Sequence, residues 1–231
     1  TFSDLFELTL YNGGISGGSA SGDRFFYTNP LEGTEQNARQ NWYEPGCCPS
    51  NFVRFVPQID QFIYGQNESQ VFINQFIGSR LDTKVGDDEF SLELTSAYPW
   101  ENRVEIEVSC SKKVDLELMV RIPGWVLGEF YPGDLYSYSS RAQSSDGRAQ
   151  KYAFWVNGDE VEAEVNDDGY VVFDRKWRDG DVVSFEFDME TRLVEANPNV
   201  KDVEGQQVLT RGPVLYCLEG IDNLEIFKDA D

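Results

Sequence analysis

Two adjacent cysteines, Cys47 and Cys48, are the residues of this sequence whose types and spacing best suit chemistry. They lie between Gly46 and Pro49, directly ahead of an apolar pattern with helical spacing, and proline is favoured in the first turn of a helix. The positive end of a helix dipole favours thiolate over thiol. A thiolate pair at a helix start indicates a soft metal ion, a nucleophile, or both. The residues also leave open two unreactive thiols or a disulfide between neighbours.

The other candidate ligands carry weaker signals. A tetrahedral zinc site needs about four ligands, and two adjacent thiolates supply half of them. Glu44 lies three residues before Cys47. It could serve as a metal ligand or a proton donor, but the simpler interpretation is a solvated loop carboxylate. Cys110 and Cys217 lie in strand-like sequence. We therefore expect both of their side chains to point into an apolar core rather than toward a metal.

The composition narrows the classes of function. The formal net charge is −22, which argues against binding nucleic acid or an anionic membrane through a basic face but suits a neutral ligand such as a sugar. No apolar run approaches the ~18 residues of a transmembrane helix. The sequence has no histidine, which excludes Ser-His and Cys-His catalysis and His-ligated metal sites within it. Its 4 cysteines are too few for a disulfide scaffold.

Four aromatic side chains are candidates for stacking on sugar rings: Trp42, Tyr43, Trp100 and Trp125. Trp42 and Tyr43 lie just before the cysteine pair. Trp100 and Trp125 adjoin the ends of strand-like segments, so packing in the core or at its rim is the simpler expectation for them.

The hydrophobic pattern changes from helical to strand-like near residue 67. Residues 4–11 and 50–62 have apolar residues at helical spacing, and Pro57 is expected to kink or shorten the second helix. From residue 70 onward, apolar and acidic residues mostly alternate, as they do in residues 104–108. Turn sequences recur between these stretches, and Asn157-Gly158 is a strong hairpin signal. The pattern predicts a mainly β chain with an antiparallel β-sandwich.

Short motifs recur along almost the whole chain: Leu10-Tyr11-Asn12-Gly13; Phe25-Phe26-Tyr27 with Asn29-Pro30-Leu31; Cys47-Cys48-Pro49 with Asn51 and Arg54; Tyr98-Pro99-Trp100; Arg121-Ile122-Pro123-Gly124-Trp125; Asp168-Gly169-Tyr170; Trp177 with Gly180-Asp181; and Arg211-Gly212-Pro213 with Tyr216-Cys217-Leu218-Glu219. Together they resemble the β-L-arabinofuranosidases of glycoside hydrolase family 127. The Cys-Cys-Pro and Arg-Gly-Pro blocks are specific in combination, although each is weak alone.

The resemblance implies an (α/α)₆ barrel followed by β-sandwich domains. Residues 1–66 would then be the C-terminal fragment of the helical catalytic barrel, and residues 67–231 the β-sandwich domain. Residues 127–150, rich in Tyr, Ser, Gly and Arg, are predicted to be a mobile insertion in that domain. Helices of an open barrel would expose apolar surface, so association of two copies through this helical remnant is a further expectation.

The resemblance also implies retaining hydrolysis of L-arabinofuranosyl or related glycans by a zinc-bound cysteine thiolate. Cys47 matches the family's nucleophile, and Cys47 and Cys48 both match zinc ligands. In the family, a third cysteine, a zinc-binding glutamate and the acid/base glutamate precede the pair by many tens of residues. No cysteine precedes Cys47 here, so we expect a fragment that is inactive alone. The alternatives are a non-catalytic β-sandwich that braces the barrel or binds glycans, and a relative that has lost catalysis.

Overall fold

The structure, a computed structural model, describes residues 2–28, 38–130, 133–139 and 151–217. The helices and strands of these residues are α1 (Phe2–Thr9), α2 (Cys47–Phe55), β1 (Tyr64–Gln66), β2 (Gln70–Ile73), β3 (Ser79–Val85), β4 (Asp88–Ser96), β5 (Arg103–Cys110), β6 (Val114–Arg121), β7 (Tyr136–Tyr138), β8 (Tyr152–Val156), β9 (Asp159–Val161), β10 (Tyr170–Trp177), β11 (Val182–Phe187), β12 (Thr191–Ala196), β13 (Gln207–Arg211) and β14 (Val214–Tyr216). The predicted mainly β class is confirmed.

Both predicted helices are present, and each continues from an α-helix into a helical segment of another type. After α1, the chain continues as a π-helical turn at Leu10–Gly14 and a 3₁₀ turn at Ile15–Gly17. After α2, it tightens into a 3₁₀ helix at Val56–Phe62. Pro57 lacks the amide hydrogen that an α-helix needs and clashes with the preceding turn, which explains the change at this point. No helix among the described residues is long and apolar enough to cross a membrane.

Two sheets face each other across one core and form the predicted sandwich. The first has the strand order β1-β2-β6-β10, and the second has the order β3-β4-β5-β11-β8-β9. Alternating residues of both sheets are buried together, among them Leu118 from β6, Ile106 from β5 and Phe154 from β8. Asn157 and Gly158 have φ angles of 55° and 88°, which the two-residue hairpin between β8 and β9 requires.

A third sheet has the strand order β14-β13-β12-β7. Its strand β7 lies in the stretch 127–150 for which the sequence predicts a mobile insertion, and β7 pairs antiparallel with the end of β12. Residues 131–132 and 140–150 of that stretch, and the motif residues 29–31 and 218–219, lie outside the described residues.

A buried ion cluster joins α1 to the sandwich. Arg121 of β6 is 1% exposed, and it donates hydrogen bonds to Asp4 Oδ1 at 2.6 Å, to Glu7 Oε1 at 2.8 Å and to the carbonyl of Asn74 at 2.6 Å. The hydroxyl of Tyr98 donates to the same oxygen of Glu7 at 2.7 Å. Since buried charges are tolerated only when they are paired, this cluster fixes the position of α1 on the sheet.

The side chain of Asn12 joins the helical segment to the third sheet. Its Nδ2 donates to the carbonyls of Leu8 at 2.9 Å and Pro213 at 2.8 Å, and its Oδ1 accepts from the amide of Leu215 at 2.8 Å. The short stretch after α1 is therefore anchored to the third sheet, as α1 itself is to the sandwich.

The Arg121 cluster predicts a large effect of one substitution. Arg121→Met removes the guanidinium and leaves Glu7 buried without its cationic partner, which should lower the free energy of unfolding by about 3–5 kcal/mol. Urea denaturation followed by tryptophan fluorescence measures this loss. Arg80→Met is the matched control, because Arg80 forms an exposed ion pair with Asp82 and its removal should change the stability far less. Equal losses in the two variants would contradict the role of the cluster.

Candidate active site

The cysteine pair lies in the first turn of α2, which begins at Cys47, three residues earlier than the sequence predicts. Gly46 is the residue before the helix. Cys47 is exposed and Cys48 is half-buried, and both are free thiols. Their Sγ atoms are 3.7 Å apart, whereas a disulfide requires about 2.0 Å. The disulfide left open by the sequence is therefore absent from this structure.

The separation of the two sulfurs is compatible with two ligands on one zinc ion, and it is also an ordinary contact distance between two sulfur atoms. Two thiolates on a tetrahedral zinc, each about 2.3 Å from the ion, lie about 3.8 Å from each other, which is close to the observed 3.7 Å. Across the part of the chain that the structure describes, no three or more His, Cys, Asp or Glu side chains are grouped closely enough to hold a metal. Cys47 and Cys48 thus fit two of the four positions of such a site.

The weaker candidates lie apart from a ligand cluster. Glu44 is exposed and does not complete a three-donor group with the pair. Cys110 is half-buried and packs against the core, with its Sγ 3.9 Å from the carbonyl of Trp177, as the sequence predicts. Cys217 is exposed, so the expectation that it points into the core is wrong. It follows β14, whose last two residues are themselves exposed.

Tyr43 places a phenol beside the cysteine pair. Its hydroxyl donates a hydrogen bond to the carbonyl of Phe26 at 3.2 Å. The pKa of Tyr43 is raised to about 12, first by desolvation and then by its neighbour Cys48. The Tyr43 hydroxyl is therefore neutral at physiological pH, with its hydrogen directed to Phe26.

The tryptophan candidates separate into three environments. Trp42 is 53% exposed and packs so closely over Gly46 that a Cβ on that glycine would lie 3.0 Å from the indole nitrogen. Trp100 is 65% exposed, and Trp125 is 5% exposed. Trp125 is thus a core residue, which agrees with the simpler expectation for it. Trp42 is the tryptophan that packs next to the cysteine pair.

The first glycines of the chain let α2 approach the stretch after α1. Gly13, Gly14 and Gly17 lie inside the helical continuation of α1. Gly18 lies against the ring of Phe52 from α2, and a Cβ there would come within 2.6 Å of that ring. This close contact is one of those that position the helix that carries the cysteines.

Three consecutive parts of the chain match models of one protein family. Residues 1–61 match the GH127 catalytic domain of beta-L-arabinofuranosidase. Residues 70–189 match the GH127 middle domain of beta-L-arabinofuranosidase. Residues 191–230 match the glycoside hydrolase family 127 C-terminal domain. The cysteine pair lies in the first part, and the sandwich corresponds closely to the second.

Individual relatives agree with these matches. The chain is 29% identical over 238 residues to a non-reducing end beta-L-arabinofuranosidase of Bifidobacterium longum subsp. longum, covering 96% of the chain and 32% of the relative. A solved GH127 beta-arabinofuranosidase superposes with a TM-score of 0.87 at 41% identity, covering 96% of this chain and 34% of that one. A GH127 beta-L-arabinofuranosidase from Geobacillus stearothermophilus T6 superposes with a TM-score of 0.79 at 30% identity, covering 96% and 33%. The chain therefore spans about one third of the length of these relatives.

The packing of α2 predicts the effect of a single methyl group. Gly18→Ala forces a Cβ into the ring of Phe52, which should cost about 1–3 kcal/mol of unfolding free energy and change the rate at which Cys47 reacts with Ellman's reagent. Gly13→Ala is the control, because no atom lies within 4 Å of the added methyl group. If both variants match the wild type in stability and thiol reactivity, Gly18 does not position α2.

Proposed function

Because the chain belongs to glycoside hydrolase family 127, we propose that it carries the nucleophile of a retaining glycosidase that acts on L-arabinofuranosyl or related glycans. The relatives are described as β-L-arabinofuranosidases, which supports this substrate class. The observation that carries the proposal is the pair of free thiols in the first turn of α2, with sulfurs 3.7 Å apart. In this proposal residues 1–66 belong to the catalytic barrel and residues 67–231 to the β-rich part that supports it.

Cys47 is the nucleophile in this proposal. Its exposure lets the sulfur reach a substrate, whereas Cys48 is half-buried. The thiolate attacks the anomeric carbon, the bond to the leaving oxygen breaks, and an acid/base carboxyl group protonates that oxygen. Water, deprotonated by the same carboxylate, then displaces the sulfur and releases the sugar with its configuration retained.

Zinc is the metal that Cys47 and Cys48 would hold. When bound, it would keep the sulfurs deprotonated near neutral pH without a histidine. The residues around the pair have separate tasks. Gly46 allows Trp42 to pack against the start of α2, and the neutral hydroxyl of Tyr43 lies beside Cys48.

The remaining ligands and the acid/base glutamate would come from residues outside this chain. Two observations support this part of the proposal: the described residues offer only two donors at the pair, and the relatives are about three times as long. A retaining mechanism requires both a nucleophile and an acid/base group. We therefore propose that residues 1–231 alone do not turn over substrate.

Removal of the two thiols tests the nucleophile and the metal. The assay uses the natural polypeptide in which these residues occur. In that polypeptide, Cys47→Ser should lower kcat on p-nitrophenyl β-L-arabinofuranoside by at least about 10³-fold. Cys48→Ser should reduce zinc content, measured by plasma mass spectrometry, because it removes a ligand. Cys217→Ser is the control, since its thiol is exposed and follows β14, and it should change neither quantity. A zinc-free protein with full turnover after Cys47→Ser would contradict the mechanism.

The same substrate tests whether residues 1–231 are sufficient for catalysis. Purified residues 1–231 should release no more p-nitrophenol than their Cys47→Ser variant, whereas the longer polypeptide should release it readily. If the 231-residue chain turns over substrate and Cys47→Ser abolishes that turnover, Cys47 remains the proposed nucleophile. The proposal that residues outside the chain are required would then be wrong.

A further inference from the structure

The solvent-facing side of the second sheet contains a hollow of about 450 Å³. Residues of β8, β9 and β11, and the loops next to them, line it: Asn102, Lys151, Ala153, Trp155, Glu160 and Glu186. Trp155 and Ala153 alternate along β8 with Phe154 and Val156, which are buried in the core, so both face solvent. All of these residues lie within the part of the chain that matches the middle domain, and none of them belongs to the cysteine site.

The strand register explains why the surface is concave at this point. Ala153 lies opposite Glu186 of β11, while Trp155 lies opposite Glu160 of β9 and Ser184 of β11. A methyl group at position 153 leaves space between larger neighbours, because cross-strand side chains are only about 5 Å apart. Trp155 and Glu186 thus form walls and Ala153 forms part of the floor.

Two of the lining side chains share one cationic neighbour. Arg103 of β5 donates to Glu186 Oε1 at 2.9 Å and to the hydroxyl of Ser184 at 3.2 Å. Its guanidinium carbon is also 5.7 Å from the centre of the Trp155 ring. One cation therefore contacts both the carboxylate and the indole, which favours the arrangement in which they line the hollow.

The chemistry of the lining selects a class of ligand. An indole surface packs against the C–H face of a sugar ring, and carboxylates and an amide accept and donate hydrogen bonds to hydroxyl groups. The lining carries Glu160, Glu186 and Asp188 against the single cation Lys151, on a chain of net charge −22, and so disfavours anionic ligands. The volume lies within the range of small-ligand sites, about 300–1,000 Å³.

We propose that this hollow is a glycan-binding site that anchors neutral, arabinose-containing glycans without cleaving them. In this site Trp155 stacks on one sugar ring, Glu160 and Glu186 accept hydrogen bonds from its hydroxyl groups, and Asn102 binds a neighbouring hydroxyl. The site belongs to the sandwich and does not depend on hydrolysis at Cys47, whereas the choice of arabinose rests on the proposed substrate class.

Titration of the 231-residue chain with an α-1,5-linked arabinotriose, followed by calorimetry and tryptophan fluorescence, tests the site. Saturable binding is expected in the wild type. Trp155→Ala should weaken it by about tenfold or more, because the stacking surface is lost. Ala153→Leu should weaken it comparably by filling the floor while leaving Trp155 in place. Circular dichroism checks that both variants are folded.

Two controls make the result specific. Trp100→Ala removes an exposed tryptophan, and Cys217→Ser removes an exposed thiol, both outside the hollow; neither should change the affinity. The proposal is overturned if the wild type binds no arabinotriose, if Trp155→Ala and Ala153→Leu bind as the wild type does, or if either control variant abolishes binding. Because the readout is binding alone, it stays informative whether or not Cys47 proves to be a nucleophile.

Discussion

The buried guanidinium of Arg121 is the constraint on which the arrangement of this chain depends. A cation that is 1% exposed needs its anionic partners nearby, and Asp4 and Glu7, both on α1, supply them. Phe6 of α1 in turn packs against Phe55, at the end of α2. The position of the cysteine pair is thus linked, through two helices, to a charge at the end of a strand in the sandwich.

Two of the motifs by which the sequence resembles its family lie at this junction rather than at the cysteine pair. In the Arg121–Trp125 block, Gly124 donates its amide hydrogen to Asp4, and the indole of Trp125 donates to the hydroxyl of Tyr98. Tyr98 belongs to a second motif and binds Glu7. Among the motif residues described here, the proposed chemistry is confined to the two cysteines.

Sequence patterns predicted the sandwich well where one face of a strand is fully buried, as in β5. They do not predict β3, because its seven residues alternate between half-buried and exposed positions and are mostly polar. At the candidate site, Gly46 and Pro49 indicated that the cysteine pair starts a helix, but the sulfur separation depends on side-chain geometry that no sequence pattern encodes. Trp155 was not predicted as a surface residue, because a tryptophan in an alternating strand suggests a core position and only the strand register shows which face it takes.

The hydrogen bonds of Asn12 also protect the edge of a sheet. In the described part of the chain β14 is the outermost strand of the third sheet, and an outer strand presents unpaired backbone groups to which another polypeptide can add. Asn12 occupies two such groups, the carbonyl of Pro213 and the amide of Leu215, in the way that a neighbouring strand would. A residue from the catalytic-domain part therefore takes the place of a neighbouring strand at this end of β14 and leaves two fewer backbone groups for another polypeptide to pair with.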